Sequence, residues 1–141
     1  MCAQKDDDIY QERTISFSTP KSDKKTLVFG ASLNPMRVSH QAVLRLNRKG
    51  IPVKAIGGRQ GFIDEVEVIK EKNDLSGIHT ITMYMGAKRQ EEHIDYLLSL
   101  EPERIIFNPG AENPSLYIKA MDRGIEVMNA CTLVMLSTNQ Y

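Results

Sequence analysis

The sequence has no excess of positive or negative charge. Its 18 lysines and arginines are balanced by 18 aspartates and glutamates, so the formal net charge at pH 7 is zero. A neutral chain has no overall field that would hold it on nucleic acid or on an anionic membrane surface. We therefore expect neither partner, and an anionic ligand would need a local cluster of donors.

Cysteine and long apolar runs are also scarce. The two cysteines, Cys2 and Cys131, lie at opposite ends of the sequence, a spacing that fits neither a disulfide framework nor a metal site. No stretch approaches the roughly 20 apolar residues that cross a bilayer, and residues 1–8 lack the apolar core of a secretory signal. These absences predict a cytoplasmic protein that does not enter a membrane.

The residues that are present suffice for one hydrophobic core. Hydrophobic residues make up 41% and charged residues 26% of the 141 residues, which is typical of a single soluble domain. Residues 1–25 are polar and predict a mobile N-terminal arm, although a short alternation at residues 15–17 leaves packing on a neighbour open. The folded domain is then expected over residues 26–141.

Strand and helix patterns alternate along this domain. Short apolar runs predict five buried strands, at residues 26–29, 53–56, 80–84, 104–107 and 125–128. Helices are predicted over residues 39–49, 89–100 and 113–123 and from residue 132 onward, with Ser39, Asn113 and Thr132 as N-caps. Residues 66–69 fit either an extra strand or an extended loop. The alternation predicts a doubly wound α/β fold, a five-stranded parallel sheet with helices on both faces.

The loops at one edge of this sheet are where a ligand is expected. In open parallel sheets, ligands bind at the carboxyl ends of the strands, where the strand order reverses. This rule selects residues 30–39, 57–62, 85–88 and 108–113. The first loop is long for a strand-to-helix connection, and it offers Ser32, the guanidinium of Arg37 and the free N–H groups of a helix start. These are donors suited to phosphate.

The first loop departs from the dinucleotide fingerprint Gly-x-Gly-x-x-Gly. Ser32 replaces the second glycine and Pro35 the third, which disfavours the close approach of pyrophosphate found in NAD sites. The second strand is followed by Arg59 rather than by the acidic residue that holds the NAD ribose. Because an arginine there suits a ribose phosphate, an NADP-binding oxidoreductase or regulator remains an alternative.

Several segments together resemble a known family, the small single-domain CoA-binding proteins. These proteins are similar to the N-terminal CoA-binding domain of succinyl-CoA synthetase α subunits and of NDP-forming acyl-CoA synthetases. The matching segments are Gly30-Ala31-Ser32, Asn34-Pro35, Arg37 and Ser39, with residues 107–110 and 130–135 similar to a stand-alone branch. The resemblance covers about residues 24–141.

The resemblance implies a Rossmann-like fold that binds coenzyme A or an acyl-CoA. The phosphates would lie against Ser32 and the helix start, with Arg37 and Arg59 nearby, and residues 108–110 would line the far side of the crevice. The implied CoA-binding residues are Gly30, Ala31, Ser32, Asn34, Pro35, Arg37, Ser39, Gly57, Arg59, Asn108, Pro109 and Gly110. The synthetases carry their phosphorylated histidine in a further domain, which these 141 residues do not include.

Candidates for catalysis are few. Cys131 follows the fifth predicted strand and is a candidate for contact with the thiol of CoA, and a buried apolar cysteine is the alternative. The three histidines share no metal-ligand spacing, and Glu112 lacks an evident acid–base partner. The sequence therefore favours a stand-alone, non-catalytic module over an enzyme. An interaction protein with a vestigial pocket, as a homodimer, is a second alternative.

Overall fold

The computed structural model describes residues 23–141. The predicted N-terminal arm lies outside the described residues except for its last three. In the described part, no helix is both long and apolar enough to cross a membrane.

The apolar runs of the sequence form the strands of one sheet. Within residues 23–141 its strands are β1 Thr26–Ala31, β2 Val53–Gly57, β3 Gly61–Ile63, β4 Val66–Ile69, β5 Thr80–Met83, β6 Arg104–Phe107 and β7 Glu126–Asn129. Their order across the sheet is β3-β4-β2-β1-β5-β6-β7. All neighbours pair in parallel except β3 and β4, which are antiparallel. The chain leaves β1 for β2 on one side and later returns to β5 on the other, so the order reverses between β1 and β5.

The predicted count of five parallel strands is wrong, because two short strands form a hairpin at one edge. Val66 and Val68 are buried in β4, which pairs in parallel with β2. β3 forms the edge of the sheet, and a two-residue turn in which Asp64 has φ 52° joins it to β4, with which it pairs antiparallel. Strands of three and four residues leave little periodicity to detect. The hairpin packs on the first loop, since a Cβ at Gly61 would lie 2.7 Å from a Leu33 methyl carbon.

Helices cover both faces, as predicted, although several boundaries differ. They are α1 Val38–Arg48, α2 Ala87–Gln90, α3 Ile94–Ser99, α4 Pro114–Asp122 and α5 Thr132–Ser137, with a 3₁₀ turn at Glu91–His93. The side chain of Asn113 accepts a hydrogen bond from Leu116 N, which confirms it as an N-cap. Ser39 and Thr132 are wrong as N-caps, because Arg37 and Cys131 occupy those positions without a side-chain cap.

The two faces of the sheet carry separate apolar clusters. Leu27 and Phe29 of β1 belong to a cluster that includes α3 and α4, whereas Val28 belongs to one that includes α1 and α5. Successive residues of a strand point to opposite faces, so the two clusters lie on opposite sides. All three side chains are at most 1% exposed. This packing fixes β1 at the centre of the sheet.

At the amino ends of the central strands, a buried arginine packs against the side chain of Tyr141. Arg104 is 5% exposed, and its Nε donates to Thr80 Oγ1 at 3.0 Å. Its guanidinium lies 4.5 Å from the centre of the Tyr141 ring. The Tyr141 hydroxyl is bonded to Thr26 Oγ1 at 2.6 Å, and burial raises the pKa of Tyr141 above its ordinary value. We call Arg104, Thr80, Tyr141 and Thr26 the amino-edge cluster.

Candidate functional site

A cavity of about 220 Å³ opens at the carboxyl ends of β1, β2 and β5. It lies where the strand order reverses, which is the position that the sheet rule selects. Its lining residues are Gly30, Ala31, Ser32, Leu33, Arg37, Gly58, Arg59, Tyr84, Met85 and Arg89. Three of the four loops selected from the sequence contribute to this lining. Of the described residues, those of the fourth loop, 108–113, are not among them.

Two glycines allow the strands to meet closely at the base of this cavity. Gly30 has φ 98°, and a Cβ on it would lie 3.0 Å from Met85 N. A Cβ on Gly57 would lie 2.1 Å from the carbonyl oxygen of Ala31, which is closer than two nonbonded atoms can approach. The register of β1 and β2 shifts between Phe29 and Ala31, at the same level. Any side chain at Gly57 would therefore push β1 and β2 apart beneath the cavity.

Hydrogen bonds within the first loop hold its shape. Ser32 Oγ accepts from Asn34 N at 3.1 Å, and Asn34 Oδ1 accepts from Met36 N at 2.9 Å. Gln41 Nε2 donates to the carbonyl of Pro35 at 3.0 Å. Asn34 and Pro35 shape the loop without lining the cavity. The buried imidazole of His40 is bonded through Nδ1 to the Ser32 carbonyl at 2.9 Å, which fixes Ser32 at the cavity wall.

Three arginines from three separate elements line the cavity. Arg37 is the N-cap of α1, Arg59 lies between β2 and β3, and Arg89 lies on α2. All three are exposed. Within residues 23–141, none of the residues that line the cavity carries a carboxylate. The cavity is therefore a local concentration of positive charge in a chain that is neutral overall.

Arg89 and Tyr84 were not among the residues expected from the sequence. The helix after β5 was expected to begin at Arg89, but it begins at Ala87, which places Arg89 in the first turn beside the cavity. Gly86 just before this helix could have indicated the earlier start. Burial raises the pKa of Tyr84 to about 12, and nearby Cys131 contributes to the rise. Its hydroxyl is buried near those of Thr82 and Thr132, but within the described structure neither contact meets hydrogen-bond geometry.

Asn108 lies beneath this edge of the sheet, and its side-chain amide makes hydrogen bonds within the protein. Its Nδ2 donates to Thr82 Oγ1 at 2.7 Å and to the carbonyl of Met83 at 2.9 Å. Its Oδ1 accepts from Thr132 N at 2.8 Å. With 1% of its surface exposed, Asn108 ties β5, β6 and α5 together. Pro109 and Gly110 lie at the same edge, outside the cavity lining.

The other candidate reactive residues lie around the cavity rather than in it. Cys131 is partly buried at the start of α5, close to Tyr84, and is not one of the lining residues. The carboxylate of Glu112 accepts from Gly110 N at 2.9 Å. His93 packs edge-on against Phe29, and burial lowers its pKa. Among residues 23–141 no group of three or more potential ligands is arranged to hold a metal ion.

A shallow groove of about 340 Å³ continues from the cavity along the first loop. It shares Gly30, Ser32, Arg37 and Tyr84 with the cavity and adds Met36, Val38 and Ser39. Met36 is 88% and Val38 is 51% exposed, so their apolar surfaces face the groove and the solvent. The cavity and the groove share part of their lining, and the groove adds two exposed apolar side chains beside Arg37.

Comparison with known proteins places this chain in a family. The sequence model of the CoA-binding domain family matches residues 24–137, and the chain belongs to that family. The resemblance drawn from the sequence is thereby confirmed. A search of curated proteins found no match.

Solved structures show the same fold. The crystal structure of an uncharacterized protein is 37% identical, with a TM-score of 0.81, and the match covers 84% of this chain and 98% of that one. A protein from Thermus thermophilus is 19% identical, with a TM-score of 0.72, over 84% of this chain and 90% of that one. A hypothetical protein from Pyrococcus horikoshii is 17% identical, with a TM-score of 0.74, over 82% of each chain. The last two likenesses concern the fold alone.

Proposed function

We propose that the cavity binds coenzyme A or an acyl-CoA through the phosphates of the ligand. The observation that carries this proposal is the convergence of Arg37, Arg59 and Arg89 on a cavity at the point where the strand order reverses. Guanidinium groups bind phosphate oxygens through paired, charge-assisted hydrogen bonds. The membership of the chain in the CoA-binding domain family supports CoA over other phosphate-bearing ligands.

The positions of the three arginines suggest how the phosphates are divided among them. CoA carries a diphosphate and a separate phosphate on the ribose. Arg37 is at the start of α1 and Arg89 is on α2 after β5, and in this proposal they hold the diphosphate together with the Ser32 hydroxyl. Arg59 follows β2, on the side of the cavity away from β5, and takes the ribose phosphate.

The size of the cavity agrees with binding of part of the ligand rather than all of it. About 220 Å³ is smaller than the roughly 300–1,000 Å³ of pockets that enclose a whole small molecule. The phosphates would fill the cavity, and the remainder of CoA would lie along the adjoining surface. Such a site binds mainly through charge, so affinity should fall as salt concentration rises.

We further propose that the protein binds its ligand without transforming it. Apart from its arginines, the cavity lining within residues 23–141 has one titratable side chain, that of Tyr84. A phenol whose pKa is about 12 stays neutral at physiological pH and is a poor base, because efficient proton transfer needs a pKa near the working pH. A carrier, a sensor or an accessory subunit fits such a site.

NADP is the competing ligand, because it also carries a ribose phosphate that Arg59 could bind. Calorimetric titration with CoA, acetyl-CoA, dephospho-CoA and NADP separates the two. We expect micromolar binding of CoA and binding of dephospho-CoA that is about tenfold weaker, the usual effect of losing one charge-assisted contact. In Arg59→Ala this difference should disappear. Arg45→Ala, on the exposed surface of α1 outside the cavity lining, is the matched control and should retain it.

Two results would overturn the proposal. Binding of NADP without binding of CoA would favour the oxidoreductase or regulator. If none of the four ligands bound to correctly folded protein, the interaction protein with a vestigial pocket would become the leading hypothesis.

A further inference from the structure

The groove beside the arginine cavity has an apolar wall that the binding of phosphates does not use. Met36, at the end of the first loop, is 88% exposed, and Val38, the first residue of α1, is 51% exposed. Both line the groove, and the two residues flank Arg37 in the sequence. An apolar surface exposed at a binding site favours an apolar group of the ligand, because contact removes both surfaces from water.

The continuity of groove and cavity restricts what that apolar group can be. Gly30, Ser32, Arg37 and Tyr84 line both depressions, so a group in the groove is next to whatever occupies the cavity. If the cavity holds a diphosphate, the groove receives the substituent attached directly to it. In CoA the diphosphate joins the adenosine ribose to the pantoyl unit, whose branched carbon bears two methyl groups. Because the proposed function gives the ribose phosphate to Arg59, which lies after β2 and does not line the groove, the pantoyl unit is the substituent left for the groove. In NADP it is a ribose, which is polar.

We propose that Met36 and Val38 bind the dimethyl group of the pantoyl unit and so select CoA over dinucleotides that carry the same phosphates. This inference rests on the proposed function, and it names the part of the ligand that confers specificity. Arg37 and Ser32 hold the diphosphate, and the two apolar side chains on either side of Arg37 recognise the group that the diphosphate carries. The arginines supply affinity for phosphates, and Met36 and Val38 distinguish between the groups that carry those phosphates.

A fragment of CoA separates the two ends of the site. Adenosine 3′-phosphate 5′-diphosphate carries the phosphates of CoA and lacks the pantoyl unit. The double variant Met36→Ser/Val38→Ser replaces both apolar side chains. It should lower the affinity for CoA about tenfold, because the two methyl groups are no longer buried. The same variant should bind the fragment within about twofold of wild type. Calorimetric titration of both compounds measures the two changes.

A second double variant serves as the control. Ile118 and Met121 are 55% and 53% exposed on α4, which packs beside β7 away from the groove. Ile118→Ser/Met121→Ser removes a similar exposed apolar area, and binding of both compounds should remain as in wild type. If this control binds CoA with the wild-type affinity, loss of exposed apolar surface alone does not weaken the binding of CoA.

The outcomes distinguish this inference from the proposal on which it rests. If Met36→Ser/Val38→Ser weakens CoA and the fragment equally, or weakens neither, the pantoyl assignment is wrong although the phosphate site stands. If neither compound binds to the wild-type protein, the phosphate site and the pantoyl assignment both fail.

Discussion

Arginine occurs at both edges of the sheet, but its surroundings differ. At the carboxyl edge, Arg37, Arg59 and Arg89 are exposed around a cavity. At the amino edge, Arg104 is 5% exposed, lies against the Tyr141 ring and is bonded to Thr80. The guanidinium groups of the carboxyl edge face an open space, whereas that of Arg104 is enclosed by the protein itself.

The difference in surroundings indicates that arginine serves binding at the carboxyl edge and stability at the amino edge. The arginines at the carboxyl edge hold few contacts that folding depends on, so their removal should affect ligand binding more than stability. The stem and the charge of Arg104 are packed, and their removal should affect stability more than binding. Substitutions at each edge test this division, beginning with the largest expected effect.

The largest effect is expected at the base of the carboxyl edge, where backbone rather than side chains carries stability. Gly57→Ala places a Cβ 2.1 Å from the Ala31 carbonyl oxygen and should lower the free energy of unfolding by about 3 kcal/mol through overpacking. Gly58→Ala is the neighbouring control, because in the described structure nothing lies within 4 Å of its added Cβ. Urea unfolding measures both, and equal stabilities would contradict the close approach of β1 and β2.

The next effect tests the amino edge. Arg104→Ala removes the stacking on Tyr141 and the hydrogen bond to Thr80, and it should cost about 2 kcal/mol of unfolding free energy. CoA affinity of the folded variant should change less than about twofold, because no ligand contact is lost. Arg104→Met removes the same charge but keeps most of the packed apolar stem, and it should therefore cost less than Arg104→Ala. If Arg104→Ala lost CoA binding without losing stability, the assignment of Arg104 to stability rather than to binding would be wrong.

A smaller effect concerns Tyr84 at alkaline pH. Its pKa is about 12 in the folded protein, against 10.0 for an ordinary tyrosine. Above about pH 10 the unfolded chain releases this proton before the folded chain does, so the free energy of unfolding falls as pH rises from about 10 to about 12. At about pH 11 Tyr84 should account for about 1 kcal/mol of that loss.

The variant Tyr84→Phe isolates this contribution. Its stability should fall less than that of wild type between about pH 9 and about pH 11, as followed by urea unfolding. At neutral pH the two should be nearly equal, because the hydroxyl that is removed has no hydrogen bond within the described structure. An identical decline in both proteins would mean that the phenol is not buried as described.

Much of the fold could be predicted because its signals are local. Apolar runs marked the parallel strands, and Asn113 followed by Pro114 marked the start of α4. Residues 66–69 were left open between a strand and a loop, and they form β4, whereas β3 and the hairpin that the two strands make beside β2 were not predicted. A strand of three residues is stabilised by its neighbours more than by its own sequence.

The candidate site could be predicted only in part. The sheet rule selected the right edge, and Arg37 and Arg59 were singled out before the cavity was known. Arg89 was missed because the start of α2 was set two residues late. Asn108 looks like a ligand residue in the sequence, yet its amide is consumed by hydrogen bonds to β5 and α5. Such assignments depend on packing between elements that are distant in the sequence.

One measurement tests the central claim most directly, the affinity for CoA of two variants that remove arginine from opposite edges of the sheet. We predict that the triple variant Arg37→Ala/Arg59→Ala/Arg89→Ala loses at least about 100-fold in affinity, since several charge-assisted contacts are removed at once. Arg104→Ala should bind CoA as wild type does. If the triple variant is folded and binds CoA with the wild-type affinity, the cavity at the carboxyl edge is not the CoA site.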